Sequence, residues 1–285
     1  MTTRFVAEVS SNHHRDLDRA IVFVETASRL GCAAVKFQLF KVDELFASEI
    51  LARSPQHRAR SHWELPEHFL APLAARSRDL GIAFACTPFS LRAVEVLEPH
   101  VDFFKIASYE LLWDDLLRAC ASTGKPVVAA TGMATLDEVV RAADVLRDAG
   151  CRDPMLLHCT SGYPAPIEQC NLAAIDTIRA ATRARVGWSD HSASPAVIYR
   201  AVHRWRAEMV EFHLDLDGTG AEFSAGHCWL PAQIAPVIEA IHRGVAADGT
   251  GEKLPVESEI ADRAWRADPS DGLRPMRAIR GTWVP

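Results

Sequence analysis

The sequence contains no long apolar run. No stretch approaches the roughly 20 consecutive apolar residues that a membrane-spanning helix needs, and the first residues, MTTRFVAEV, lead at once into a strand-like segment. The sequence therefore predicts no signal peptide and no membrane contact.

Positive charge and cysteine motifs are also scarce. The 31 lysines and arginines are outnumbered by 37 acidic residues, which gives a net charge of −6, so we expect no nucleic-acid partner. A small anionic substrate stays compatible with this charge, because a few lysines can reverse the potential inside one pocket. The seven cysteines are scattered and never spaced as CxxC, which indicates a reduced, cytoplasmic protein with mostly core thiols.

Apolar strand-like runs alternate with amphipathic helical segments along most of the chain. The eight runs occupy residues 5–11, 33–40, 82–89, 101–108, 126–133, 154–161, 185–191 and 209–215. They are nearly all apolar, as parallel strands buried on both faces should be. Eight such units predict a (β/α)8 TIM barrel. An open doubly wound sheet is the alternative, which the lack of GxGxxG after the first strand disfavours.

No linker divides the chain. We predict a barrel over residues 1–243 and a C-terminal tail over 244–285 that packs on the barrel without forming a separate domain. A polar excursion rich in arginine and histidine, residues 46–62, follows the second strand, and one short helix is expected near 257–266.

Polar side chains stand at the carboxyl ends of all eight predicted strands, where the active sites of such barrels lie. These residues are Glu8, Asn12, Lys36, Gln38, Thr87, Lys105, Ser108, Thr131, Ser161, Tyr163, Ser189, Asp190, His191, Glu211 and His213. Lys36 and Lys105 could serve as internal ion pairs, but two lysines inside a barrel are expensive unless an anion uses them. His191 and His213 end adjacent strands and form a plausible divalent-metal pair with open positions.

Ten segments resemble the sialic acid synthase family, and they occur in the family's order over residues 5–240. They are AEVSSNHHRDL, AVKFQLF, WELP, CTPFS, FKIAS, TGMATLDEV, LLHCTSGYPAP, NLAAI, GWSDH and EFHLDLD. The resemblance implies a (β/α)8 barrel that condenses phosphoenolpyruvate with an aldehyde sugar and releases phosphate by C–O cleavage. It also implies a divalent ion, with manganese expected and magnesium or cobalt as alternatives, and a homodimer.

The resemblance carries roles onto individual residues. His191 and His213 resemble the metal ligands, and Glu8 resembles the carboxylate near the reacting atoms. Motif and position at the strand ends together assign substrate binding to eleven residues. They are Asn12, Lys36, Gln38, Thr87, Lys105, Ser108, Thr131, Ser161, Tyr163, Ser189 and Asp190. Lys36, Lys105 and Tyr163 are assigned with Glu8 to the catalytic group.

The chain departs from the family pattern in three places. Ala130 replaces a serine of the phosphate site, and GTGAEFSAGHCWLP replaces a Gly-Pro-Asp-His segment, so Glu222 is expected to stand in for the aspartate and His227 is a new polar group. From the residues after the barrel we expect no counterpart of the family's C-terminal antifreeze-like domain. We expect Arg274, or the Arg-rich loop 53–60, to substitute for the arginine which that domain supplies to the sugar site.

Other functions remain open at this stage. The same chemistry could act on an unusual aldose or a nucleoside aldehyde, or the barrel could be a metal-dependent aldolase that uses pyruvate. A non-catalytic barrel that binds a sugar is the third interpretation.

Overall fold

Eight parallel strands close into one barrel in sequential order, with β8 pairing back onto β1. The computed structural model describes residues 3–282 and 284. The strands are β1 (Arg4–Glu8), β2 (Ala34–Leu39), β3 (Ala83–Pro88), β4 (Phe103–Ile106), β5 (Val127–Ala130), β6 (Met155–His158), β7 (Arg185–Asp190) and β8 (Met209–His213). The predicted (β/α)8 barrel is confirmed.

Helices follow the strands around the outside of the barrel. Within the described residues they are α1 (Leu17–Arg29), α2 (Val42–Leu45), α3 (Ser48–Arg53), α4 (Pro55–Ala59), α5 (Leu70–Asp79), α6 (Leu91–Leu97), α7 (Asp114–Ser122), α8 (Leu136–Asp148), α9 (Ala174–Thr182), α10 (Pro195–Tyr199), α11 (Pro231–Gly244), α12 (Glu257–Ile260) and α13 (Arg277–Arg280). The excursion after β2, residues 46–62, therefore contains α3, α4 and the start of a 3-10 turn over Arg60–Trp63. Ser54 begins α4 by accepting a hydrogen bond from the His57 N–H, and Pro55 suits its first turn.

The interior of the barrel is plugged on the amino-terminal side of the strands. A small apolar cluster fills it, made of Val6, Ala34, Val128, Met155, Leu157 and Met209. A much larger apolar layer lies between the strands and the helices. Since side chains alternate along a strand, inward positions nearer the carboxyl ends are free to carry polar groups above this plug.

The contacts divide the chain into two compact units, Met1–Gly244 and Val245–Pro285. The first contains all eight strands, and the second contains α12 and α13 and mostly exposed side chains. Packing of the tail on the barrel stays a prediction. All seven cysteines are free and buried, as predicted. None of the described helices has the length and apolarity needed to cross a bilayer.

Candidate active site

Two lysines and two carboxylates meet inside the barrel above the apolar plug. Lys36 Nζ lies 2.5 Å from Glu8 Oε2 and 3.8 Å from Glu211 Oε1, and Lys105 Nζ lies 3.5 Å from the same Glu211 oxygen. All four side chains are buried. Neighbouring strands bring them together, because Glu8 is in register with Lys36 across β1 and β2.

Burial and pairing act differently on the two lysines. Burial lowers the pKa of Lys36, but the carboxylates of Glu211 and Glu8 outweigh it, so this pKa is raised. For Lys105, burial outweighs the attraction of Glu211, and the pKa is lowered. Burial raises the pKa of Glu211, yet Lys105 and Lys36 outweigh it and leave that pKa lowered. A further bound anion would therefore stabilise the charged form of Lys105 more than that of Lys36.

Hydrogen-bond donors gather beside Lys105, at the ends of β4, β5 and β6. The Gly132 N–H donates to Ser108 Oγ at 3.0 Å, and Ser161 Oγ is buried without a hydrogen-bond partner among the described residues. A Cβ at position 132 would lie 2.2 Å from Ser161 Oγ and 2.8 Å from Ser108 Oγ, so only glycine leaves this cradle open. Ser161 and Thr131 also line a cavity of about 590 Å³.

Gln38 and Thr87 each contact one member of the Glu8–Lys36 pair, and their predicted contacts with substrate stay predictions. Gln38 Nε2 donates to Glu8 Oε1 at 2.6 Å, and Lys36 Nζ donates to Thr87 Oγ1 at 3.2 Å. Both oxygens of Glu8 are thus approached by positive or donor groups.

Glu222 joins two histidines where the chain leaves β8. Its Oε2 lies 3.2 Å from His213 Nδ1 and 3.5 Å from His227 Nε2, and its Oε1 accepts a 2.5 Å hydrogen bond from Ser10 Oγ. Burial raises the pKa of Glu222, but the two imidazoles outweigh it and hold that pKa well below its usual range. With Cys228, these three side chains bring possible metal-ligand atoms within 4.8 Å of one another.

His191 approaches the same group from the end of β7. Its Nδ1 donates to the Thr160 carbonyl at 2.8 Å, which leaves Nε2 free to accept a ligand, and burial lowers the pKa of His191 to about 3. Its ring centroid lies 5.4 Å from that of His213 and 4.3 Å from that of Tyr163. The structure thus places His191 beside His213, and their role as metal ligands stays a prediction.

Four predicted substrate-binding residues are instead occupied by internal hydrogen bonds. Asp190 accepts from the indole N–H groups of Trp188 and Trp229, at 3.1 Å and 3.0 Å, and from the loop that follows it. Ser189 Oγ donates to Glu211 Oε1 at 3.4 Å, and Thr131 Oγ1 to the Leu157 carbonyl at 3.3 Å. These contacts favour a bracing role over direct substrate contact.

Asn12 is the fourth such residue, and it ties the turn after β1 to the loop after β8. Its Oδ1 accepts from the Glu222 N–H at 2.9 Å, and its Nδ2 donates to the Leu214 carbonyl at 3.0 Å. Nδ2 also lies 3.7 Å from the sulfur of Cys228, whose thiol pKa burial raises to about 12. Asn12 therefore positions Glu222.

A cavity of about 600 Å³ opens above the histidines and Gln38. Much of its wall comes from residues that the sequence reasoning did not select: Phe40, Phe46, Arg60, Trp63, Phe89, Tyr109 and Glu110. The Arg60 guanidinium lies over two rings, 5.5 Å from the centroid of Phe46 and 5.4 Å from that of Trp63. The sequence indicated Arg60 only indirectly, through the expectation that the loop 53–60 supplies an arginine to the sugar site.

Arg274 belongs to the second unit, where it is exposed. Its predicted contact with the sugar stays a prediction.

Comparison with known proteins places this site in a family. The sequence profile of the NeuB family matches residues 23–253. The chain is 34% identical over 262 residues to an uncharacterised protein of Methanocaldococcus jannaschii, covering 90% of this chain and 75% of that protein. It is 32% identical over 283 residues to N,N'-diacetyllegionaminic acid synthase of Legionella pneumophila, covering 93% and 78%.

A solved structure shows the same likeness in three dimensions. The N-acetylneuraminic acid synthetase of Leptospira borgpetersenii superposes with a TM-score of 0.80 at 27% identity, covering 95% of this chain and 93% of that one. The resemblance to sialic acid synthases that the sequence motifs indicated is confirmed, and the chain belongs to the NeuB family.

Proposed function

We propose that this enzyme joins phosphoenolpyruvate to the aldehyde carbon of an open-chain sugar and releases inorganic phosphate, as a nonulosonate synthase. The observation that carries the proposal is the pair of buried lysines beside a cradle of hydroxyl groups inside an acidic protein, which supports binding of an anionic donor at this end of the site. Similarity to N,N'-diacetyllegionaminic acid synthase supports the same reaction type.

The donor substrate lies at the lysine end of the site. Lys36 and Lys105 balance its negative charges, and the low polarity of the barrel interior strengthens both contacts. Burial disfavours the charged form of Lys105. The negative charge of a bound donor stabilises that form again. The hydroxyls of Ser108 and Ser161 complete the cradle for phosphate oxygens, and the Gly132 N–H holds Ser108 Oγ in place.

The reaction forms one carbon–carbon bond and breaks one carbon–oxygen bond. Carbon 3 of phosphoenolpyruvate bonds to the aldehyde carbon, and the aldehyde oxygen takes up a proton. Water adds to carbon 2 and gives its proton to Glu8, which Gln38 and Lys36 hold in place. The bond from carbon 2 to the phosphate oxygen then breaks, and the hydroxyl left on carbon 2 loses its proton to become a ketone.

The histidines at the ends of β7 and β8 fit a divalent cation. His213 Nδ1, at the end of β8, is buried without a hydrogen-bond partner among the described residues, and a buried polar atom of this kind calls for a ligand. His191 and His213 are the ligands expected from the sequence, with manganese as the expected ion and magnesium or cobalt as alternatives. When bound, the cation supplies Lewis-acid polarisation of the aldehyde.

The acceptor enters through the aromatic mouth of the cavity. Arg60, held between Phe46 and Trp63, presents its donors there, which suits an acceptor with a carbonyl or anionic substituent. The same wall favours a second candidate, an acceptor such as a nucleoside aldehyde, because aromatic side chains stack on planar bases.

The test is phosphate release from phosphoenolpyruvate with added Mn²⁺, across aldoses that include N-acetylmannosamine and a nucleoside aldehyde. We expect release that depends on the aldehyde and on metal, and that falls at least a hundredfold in His213→Ala. Carbon–carbon bond formation from pyruvate without phosphate release would instead establish an aldolase. Absence of turnover with every acceptor, despite bound metal, would reject the synthase.

The predicted homodimer and cytoplasmic location accompany this proposal. Gel filtration with light scattering tests the first, since a monomer at working concentration would contradict it.

A further inference from the structure

We propose that the amino-terminal end of the barrel carries a second binding site, which takes a small organic anion with an apolar body. The site is a cavity of about 450 Å³, which is within the usual range of about 300–1,000 Å³ for small-molecule sites. It lies at the end of the strands opposite the buried lysines and the histidines, and it does not depend on the proposed function.

The first residues of six strands line this cavity, which fixes its place in the fold. They are Arg4, Phe103, Val127, Met155, Arg185 and Met209. The turns that lead into β5 and β6 complete the wall with Lys125 and Arg152. Because all eight strands are parallel, the apolar plug separates this cavity from the polar groups at the carboxyl ends.

The inner wall of the cavity is apolar. Val128, Met155 and Met209 belong to the plug, and they line the cavity together with Phe103 and Cys151. Methionine side chains are unbranched and polarizable, so they adapt to the shape of a neighbouring group. This wall therefore suits a hydrocarbon or a ring.

The rim of the cavity carries more cations than acids, although the chain as a whole is acidic. It has four cations and two carboxylates, namely Arg4, Lys125, Arg152 and Arg185 with Asp102 and Asp153. The Arg185 guanidinium engages nearby acids, because its Nε lies 2.8 Å from Glu208 Oε2 and its Nη1 lies 3.6 Å from Asp153 Oδ2. Asp102 accepts a hydrogen bond from the Phe84 N–H at 2.8 Å.

The other three cations of the rim have no ion-pair partner in the described part of the chain. Lys125 Nζ donates to the Val101 carbonyl, a neutral group, at 2.7 Å, and the side chains of Arg4 and Arg152 make neither a hydrogen bond nor an ion pair there. Burial and the charge of Arg185 lower the pKa of Arg4. A bound anion would relieve this repulsion.

The two halves of the cavity together define the class of ligand. Guanidinium groups present paired donors that match a carboxylate, sulfonate or phosphate, and the apolar wall takes the rest of the molecule. An inorganic anion or an uncharged ring would use only one of the two halves.

The experiment titrates the full chain with anilinonaphthalene sulfonate and follows isotope-labelled methionine methyl groups by NMR. The probe joins a sulfonate to aromatic rings, which shift the resonances of nearby methyl groups. We expect saturable shifts of Met155 and Met209, which line the cavity, and none of Met133, which follows β5 at its carboxyl end. Shifts confined to Met133, or no shifts, would overturn the proposal.

Arg4→Gln tests the contribution of the unpaired charge. We expect it to raise the Kd of the probe about tenfold, and Arg152→Gln to act in the same direction. Arg78→Gln, which removes an exposed arginine of α5 outside the cavity, is the matched control and should leave the Kd unchanged. Equal Kd values in the rim variants and in the control would overturn the proposal. Circular dichroism checks folding, and Arg152→Gln decides if Arg4→Gln is unfolded.

A probe without charge separates an anion site from an apolar pocket. N-phenylnaphthylamine has the same rings as the first probe but no sulfonate, and we expect it to bind about tenfold more weakly or less. Equal affinity for the two probes would overturn the assignment of an anionic ligand. None of these readouts needs catalysis, so they stand apart from the test of the synthase.

Discussion

Glu110 shows how one side chain can be tuned by its surroundings. It ends the short turn after β4, and its Oε2 is buried without a hydrogen-bond partner among the described residues. Burial raises the pKa of Glu110 to about 7, while the charge of Lys105 acts in the opposite direction. Near neutral pH this carboxyl group can therefore hold a proton and donate it in a hydrogen bond to a substrate.

The raised pKa predicts a pH-dependent cost in stability. The unfolded state releases the proton of Glu110 near its ordinary pKa of 4.5, and the folded state releases it near 7. Below pH 4.5 both states hold the proton and the group costs no stability. The free energy of unfolding falls as the pH rises from 4.5 to 7, and above 7 it no longer depends on this group, because both states have then released the proton. We expect the unmodified chain to lose up to about 3 kcal/mol relative to Glu110→Gln between pH 4.5 and 8.

Urea unfolding of both proteins at several pH values measures this difference. Glu95→Gln, at an exposed position on α6, is the control and should show no such trend. A constant difference between the unmodified chain and Glu110→Gln across the pH range would contradict the prediction.

At the scale of elements, the turn after β1 supports the loop after β8. Strand pairing makes them neighbours, because β1 and β8 are adjacent in the closed barrel. Asn12 then bridges them with hydrogen bonds to the Glu222 N–H and the Leu214 carbonyl. The loop has no strand or long helix of its own before α11, so its conformation depends on this support.

Asn12→Ala should therefore loosen the loop and weaken metal binding. We expect the Kd for Mn²⁺ to rise about 10–100-fold and the free energy of unfolding to fall by about 1–3 kcal/mol, because the Glu222 N–H loses its partner. Isothermal titration and urea unfolding measure the two effects.

Asp16→Ala is the matched control for this change. It removes the N-cap of α1 and should cost about 1 kcal/mol of stability with little change in metal affinity. Equal Kd values for Asn12→Ala and the control would show that the bridge does not position the loop.

At the scale of the whole molecule, closure of the barrel leaves little room in its interior. Gly187 lies in β7 between two neighbouring strands. An added Cβ there would stand 2.4 Å from the Met209 carbonyl oxygen and 2.7 Å from Leu157 Cδ2. The first of these is backbone in β8, which cannot move without disturbing the ladder that closes the barrel.

Gly187→Ala should therefore destabilise the entire fold. We expect a loss of roughly 1–3 kcal/mol or more, as for overpacked cores, measured as a lower midpoint in guanidinium unfolding. Gly244→Ala, where an added Cβ meets nothing within 4 Å, is the control and should be near neutral. A midpoint for Gly187→Ala equal to that of the control would refute the close packing.

Residues on strands could be predicted from the sequence, because the patterns that identify a strand and its end depend only on neighbouring residues. A polar residue near the end of an apolar run lies close to the carboxyl edge of the sheet. This principle selected Glu8, Lys36, Lys105 and His213, whose side chains are buried in the structure and whose roles stay predictions. The same pattern was less selective for Asn12, in the turn after β1, and for Asp190, the last residue of β7, which it also chose for substrate contact. Their side chains are instead held by internal hydrogen bonds.

The sequence by itself determined the barrel, the family and the two buried lysines of the barrel interior, because periodicity and motif order are properties of neighbouring residues. Tertiary structure alone decided which distant groups meet. Asn12 and Glu222 stand 210 positions apart and become hydrogen-bonded only after β8 closes on β1. Arg60 and Glu110 line the cavity because each lies in a short helical turn next to it. The conformation of those turns depends on the packing around them.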